Sequence, residues 1–458
     1  MSLPDRQTQA VIAANRFGLG AREGEIREAE GDPRGWVRQQ LAGPAPTRLA
    51  GDGDLLSSRD SYSEFFRLLK QRQQMDKGAA APGKDGPRPA AFSRDRYNAE
   101  ILARTRTAAA TTRPAAERMV WFWSNHFTVS AYRTSVAPIA GAFEREAIRP
   151  HVFGRFEDML LAATFHPAMM LYLDQHKSIG PNSPRGQRNG RGLNENLGRE
   201  VLELHTLGVD GGYTQKDVTT FAKALTGWTV GDSHRSEDGA AIYVDAIHEP
   251  GDKTILGRTY ADGGREQAVQ ALRDVAAHPA TARHMAVKLA RHFVADDPPD
   301  GAVAALARTF RDTGGDLRAL TEAVVDLDMA WGAEQRKVKT PQEYVVSSLR
   351  GLETARLDGP VILNALRVLG QRPFWAPSPA GWSDRADNLA GPDALYRRIE
   401  WAAQVGRLTG RRAENPARLA RSMLGVLADR RLADALDHAG SPAQAIALLL
   451  SSPQFQRR

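Results

Sequence analysis

Apolar residues recur at three- and four-residue spacing along nearly the whole chain, which predicts a succession of amphipathic helices. Helices are expected from Ser61 to Gln74 and from Asn98 to Arg113. Pro114 then opens AAERMVWFWSNHF as a first-turn residue. Met119 to Trp123 is apolar all round, so that helix should be buried on every side and should end on the polar triplet Ser124, Asn125, His126. Phe156, Met159, Leu160 and Ala163 stand at core spacing in the next long helix, and His166 before Pro167 closes its first half. Thr214 and Asp217 have the spacing of a capping box, and Pro341 starts another helix. The period drops to two only in AIYVDAIH and, across the turn EPGD, in KTILGRTY. The prediction is mainly α: a single large helical domain over residues 1–458 with a small β-hairpin insertion near residues 240–260. Residues 75–93, rich in Pro, Gly and Ala, read as a flexible surface loop.

One stretch concentrates polar side chains. NENLGREVLELHTLG, Asn194 to Gly208, predicts a helix of about four turns capped by Asn194 and stopped at Gly208. Leu197, Val201 and Leu204 form its apolar stripe; Glu195, Asn196, Arg199, Glu200 and Glu203 share the opposite arc, and His205 falls on the apolar side. Glu200 and Glu203, at i and i+3, point the same way, the geometry by which one helix offers two oxygens to a metal ion or a sugar hydroxyl. An acid–base ladder on a wet helix face would give the same pattern.

Other groups could join that helix in a site. His126 sits on a rigid element as a core histidine or as a ligand. SIGPNSPRGQRNGRG is a basic loop feeding the Asn194 helix, a lid over an anion or a solvated linker. The hairpin tip carries His248, Glu249, Asp252 and Lys253. His284, Lys288 and His292 lie at i, i+4 and i+8 on one helix face; two histidines that far apart cannot share one ion, so the expectation is a solvated or packed stripe. Phe374, Trp375 and Trp382 stand in irregular, Pro- and Gly-rich backbone, which suits sugar stacking and suits plugging a core edge equally.

Composition narrows the chemistry. The chain has 458 residues and no cysteine, which excludes disulfides, thiolate metal sites and cysteine nucleophiles. A formal charge of +7 would permit an acidic partner, but only ten of the 61 basic residues are Lys and no basic run with interleaved aromatics occurs, so nucleic acid is not expected. Neither a basic segment followed by a 7–15-residue apolar run at the start nor 18 consecutive apolar residues anywhere is found, so no membrane span and a cytoplasmic location are expected. GxSxG, Walker A, HExxH and strand-linked GxGxxG motifs do not occur.

WFWSNHFTVS, HPAMMLYLD, NENLGREVLELHTLGVDGGYTQKDV, LTGW, HEPGDKTILG, HPATARHMAVKLARHFVADDPP, KVKTPQEYVVSSLRGL and SSPQFQRR follow one another in this order over nearly the whole chain. Together they resemble the bacterial family catalogued as domain of unknown function 1800. That resemblance implies no catalytic residue. It implies a protein partner from another uncharacterised family whose genes neighbour this one's, and export with that partner as the alternative to a cytoplasmic location.

Two functions are expected on these residues. The first is a metal- or carboxylate-dependent hydrolase acting on a glycan or phosphorylated substrate, with Glu200, Glu203 and His205 catalytic. Asn194, Asn196, Arg199, Lys253 and Trp382 would bind substrate, and His126 and His248 with the two glutamates would hold a divalent metal. The second is a non-catalytic scaffold whose polar cluster fixes helix register.

Overall fold

Proline in the first turn recurs as the device that starts a helix, where its missing N–H costs nothing. It opens Pro89–Ala110, Pro114–His126, Pro279–Phe293, Pro341–Gly351, Pro392–Thr409 and Pro442–Ser451. The computed structural model describes residues 3–51, 53, 55–77, 86–189, 192–231, 239–354, 357–410 and 415–458. These form a mainly α protein in which one contiguous apolar core runs from Ala10 to Phe455. Around that core the helix pairs Pro392–Thr409 with Pro442–Ser451, and Pro279–Phe293 with Asp300–Asp312, pack as neighbours. None of the described helices is long and apolar enough to cross a membrane.

Strands are few. β1 (Trp228–Val230) pairs antiparallel with β2 (Ala241–Tyr243), and β3 (Lys253–Ile255) with β4 (Arg258–Tyr260). The small hairpin is therefore present, but it is made within KTILGRTY: Leu256 and Gly257 both take positive φ, 49° and 78°, and turn the chain between β3 and β4. AIY does not pair across EPGD; it turns back onto Trp228, where Tyr243 and Trp228 rings meet at 5.6 Å.

The segment expected to be loop at 75–93 is shorter. The helix Ser58–Lys77 enters it from one side and Pro89–Ala110 from the other; residues 78–85 lie outside the described residues. SIGPNSPRGQRNGRG likewise contains a helix, Pro184–Asn189, with residues 190 and 191 outside the described set. Asn182 donates through its backbone N and its Nδ2 to the Glu249 carboxylate at 2.8 and 2.7 Å, which pins the start of this segment against the chain after His248.

Candidate functional site

The Asn194 stretch is not one α-helix of four turns. Asn196–Glu200 is α-helical, and Val201–His205 widens into a π-turn that Thr206 closes by donating its hydroxyl to the Val201 carbonyl at 2.6 Å. The wider turn moves the faces: Leu197, Val201, Leu202 and His205 are buried, whereas Leu204 is half-exposed. The predicted stripe of Leu197, Val201 and Leu204 is corrected accordingly.

The polar arc turns outward. Glu195 accepts from Thr219, Gln215 and Arg199, so Arg199 is occupied in a surface network with Glu195 and Gln215. Asn194 caps locally, its Oδ1 accepting from the Asn196 N–H at 2.9 Å. Glu203 meets the Tyr213 hydroxyl at 3.3 Å, and Glu200 is pushed up by burial and by Glu203 beside it. Lys253 is consumed in its own turn, donating to the Glu249 and Gly251 carbonyls. His248 donates Nδ1–H to the Thr226 carbonyl, 2.7 Å away, so the tip is packed. Among the described residues no three His, Asp or Glu side chains gather so as to hold a metal ion, and His126 and His248 are committed to different backbone carbonyls.

What the helix does present is its end. His126 donates Nε2–H to the His205 carbonyl at 3.1 Å, and His284 donates Nε2–H to the Leu204 carbonyl at 3.2 Å. Two helices thus tie down carbonyls that a terminating helix leaves free. Gly208, at φ 86°, permits the close approach: a Cβ there would lie 2.8 Å from His284 Nδ1.

Beyond these histidines lies a chamber of about 300 Å³. Its floor is the stripe His284, Lys288, Arg291 and His292 on Pro279–Phe293; Trp121 to His126 and the loop Pro373 to Arg385 complete it. Cations outnumber acids on its wall: Arg104, Arg118, Lys288, Arg291 and Arg385 face Glu343 and Asp384. Three of the five are paired, Arg104 with Glu144 at 2.7 Å, Arg118 with Glu343, and Arg385 with Asp297 at 3.0 Å. Among the described residues Arg291 donates only to the Asp296 carbonyl, at 3.1 Å. Lys288 makes no hydrogen bond and no ion pair with any described residue. Burial pushes its amine down to about 8, helped by Arg291 and opposed by Asp384.

The imidazoles around Lys288 are neutral. Burial lowers His126 far below the usual imidazole range, His205 to about 3 and His284 to about 4, and the Lys288 charge pushes each the same way. His292 is lowered to about 4 by burial; its Nδ1–H donates to Asp384 at 3.1 Å, and its Nε2 faces Arg118 at 3.3 Å. Of the residues singled out in the sequence, then, His126 and Trp382 line the chamber and His205 lies behind it, while Asn194, Asn196, Arg199, Glu200, Glu203, His248 and Lys253 do not line it. Phe374 lines it too, and so do His284, Lys288 and His292, which were expected only as a solvated or packed stripe. Their spacing was visible as a stripe, but a stripe does not say whether it faces water, core or cavity.

Trp382 holds its place through a two-way clasp. Its backbone N donates to Asn125 Oδ1 at 2.8 Å, and Asn125 Nδ2 donates to the Trp382 carbonyl at 2.9 Å. The polar triplet after WFW therefore fixes the Trp loop with one member and the Asn194 helix end with another.

Among curated proteins and among solved structures, none matches the chain. The sequence profile of one family, described as Protein of unknown function (DUF1800), matches residues 12–457, nearly the whole length. The motifs that build this chamber fall inside the match, and the chain belongs to the DUF1800 family.

Proposed function

We propose that the chamber is the substrate site of an enzyme acting on a polar molecule that carries a carboxylate or phosphate. The observation that carries this reading is Lys288: an amine on a cavity wall with no counter-ion in contact among the described residues, beside Arg291, which donates to a backbone carbonyl. Confining unneutralised cations costs free energy that an anionic ligand returns. Hydrolysis is the reaction we propose for it. His284 spends its Nε2–H on the Leu204 carbonyl and keeps Nδ1 as an acceptor without a partner among the described residues. An anion bound next to it would raise its basicity toward the range in which it takes a proton from water. This replaces the paired glutamates Glu200 and Glu203, and a metal held between them and His126 and His248, as the centre of the proposal.

The test uses inorganic phosphate titrated by calorimetry from pH 6.5 to 9.5. Phosphate loses its second proton near about pH 7, and Lys288 is charged below about 8 and neutral above it, so affinity should fall as pH rises through about 8. In Lys288→Met the affinity at pH 7.5 should drop on the order of tenfold or more, and the fall above about pH 8 should vanish. No saturable binding by the native protein at pH 6.5 would end the proposal. Turnover of p-nitrophenyl phosphate that survives in His284→Gln would remove His284 as the base while leaving the anion site standing.

A further inference from the structure

A second, larger hollow of about 990 Å³ adjoins the chamber. Trp382 and Ala376 line both. Its walls carry the rings of Phe65, Phe66, Tyr132, Tyr172 and Trp375, interleaved with the hydroxyls of Thr134 and Ser135. Tyr132 is 79% exposed at the lip, an aromatic that no folding requirement puts there. Its ring stands edge-on to Trp375 at 6.4 Å and 87°, and the Arg372 guanidinium covers Trp375 at 3.9 Å.

These rings are held in advance of any ligand. Tyr97 donates its hydroxyl to the Pro373 carbonyl at 2.8 Å, the Ala131 N–H donates to the Phe374 carbonyl at 2.7 Å, and Ser130 donates to the Ala376 carbonyl at 2.9 Å. Phe374 takes φ 55°, a conformation rarely adopted by a non-glycine side chain, and Gly381 takes φ 84° where a Cβ would meet the Asn125 carbonyl oxygen at 2.4 Å. A loop fastened at Pro373, Phe374, Ala376 and Trp382 loses little entropy when something binds to it. At the junction stands Trp382, whose indole N–H is buried and has no acceptor among the described residues.

Resting on the anion reading above, we infer that chamber and groove are one site for a glycan that ends in an anionic group: the charged end meets Lys288 and Arg291, and one or more sugar rings lie along Trp382, Trp375 and Tyr132. Sugar rings present an apolar face to aromatic faces and hydroxyls to Thr134 and Ser135. An alkyl chain would bury those polar groups without partners, at about 1 to 3 kcal/mol each. Size agrees. The chamber is at the lower end of the volumes that take a small molecule and the groove at the upper end, so the pair exceeds what a lone phosphate or a monosaccharide fills.

The experiment compares inorganic phosphate, glucose 6-phosphate, trehalose 6-phosphate and dodecyl phosphate by calorimetry at pH 6.5 on the full chain. Trehalose 6-phosphate should bind on the order of tenfold or more tighter than phosphate, with glucose 6-phosphate between them. The ratio of trehalose 6-phosphate to phosphate affinity, measured within each variant, should fall toward one in Trp375→Ala and in Tyr132→Ala, with melting temperatures reporting that each variant is folded. Phosphate that binds while the sugars gain nothing overturns this inference and leaves the anion site intact. Failure of phosphate itself removes the anion site. A greater gain for dodecyl phosphate than for trehalose 6-phosphate overturns the glycan in favour of an acyl chain.

Discussion

His205 is fully buried, with neither ring nitrogen hydrogen-bonded to any described residue, and is packed 5.2 Å from the Phe127 ring and 6.2 Å from His126. A buried polar group without partners costs stability, and an apolar replacement of similar size removes that cost. His205→Leu should therefore melt no lower than the native protein at pH 7 and higher than it at pH 5; a drop of several degrees at both pH values would mean that the imidazole has a partner in solution. Gly208→Ala works the opposite way. A Cβ at φ 86° and 2.8 Å from His284 Nδ1 strains the backbone and displaces the histidine, so scanning calorimetry should find a loss on the order of 2 kcal/mol together with weakened phosphate binding. Glu203, half-exposed with Tyr213 as its one side-chain partner, should tolerate Gln within about 0.5 kcal/mol. Glu343 is the opposite case. Glu343 is buried, accepts from Arg118 and Arg458, and also closes the Thr340 capping box; Glu343→Gln should cost about 3 to 5 kcal/mol because it leaves two buried guanidiniums with one carboxylate fewer.

Among elements, the helices were readable because proline starts, capping residues and the 3.6 period are local signals. Thr214 with Asp217 forms the capping box its spacing announced, and Pro114 and Pro341 occupy first turns as expected. The β pairing was less readable: alternation in AIY and in KTI marks strands but does not choose partners, and the positive-φ pair Leu256-Gly257, which selects the tight hairpin, is signalled by glycine alone. The π-turn at Val201–His205 was invisible to a 100° wheel, and with it went the assignment of Leu204 to the core. The site itself needed contacts across distance. Pro279–Phe293 shows its cationic face in the sequence, yet the loop that roofs it lies some ninety residues further on, so periodicity named the face and could not name its surroundings. That roof is an element that can be broken alone. Gly381→Ala should dislodge Trp382 from Asn125, seen as loss of the disaccharide-dependent gain in affinity and faster amide exchange at Trp382, while the helical circular dichroism holds.

At the scale of the whole molecule, the buried histidines set a pH limit. His126, His205, His284 and His292 are all held neutral by burial: His205 is lowered to about 3, His284 and His292 to about 4, and His126 well below the usual imidazole range, against about 6.5 in an unfolded chain. Between those values the unfolded state binds more protons, so stability falls as pH drops from about 6.5 to 4, by up to about 1.4 kcal/mol per pH unit for each histidine. Urea titrations at pH 7, 6 and 5 should show this decline, and His205→Leu should make it shallower. Glu343 and Asp384 add a later loss: both are held below the usual carboxylate range by the cations around them despite burial, so their contribution is present above about pH 4.5 and is lost below it.

Lys288 has one more property that follows from its setting. An amine that sheds its proton near pH 8 is a nucleophile at a pH where the chain's solvated lysines are almost wholly ammonium. It also opens on a cavity, unlike Lys339, which is lowered further by burial but is packed over the Phe455 ring at 4.0 Å. A small acylating reagent added in deficit at pH 8 should mark Lys288 first, and whatever occupies the chamber should protect it, which turns one side chain into a handle for fishing the natural ligand out of a mixture.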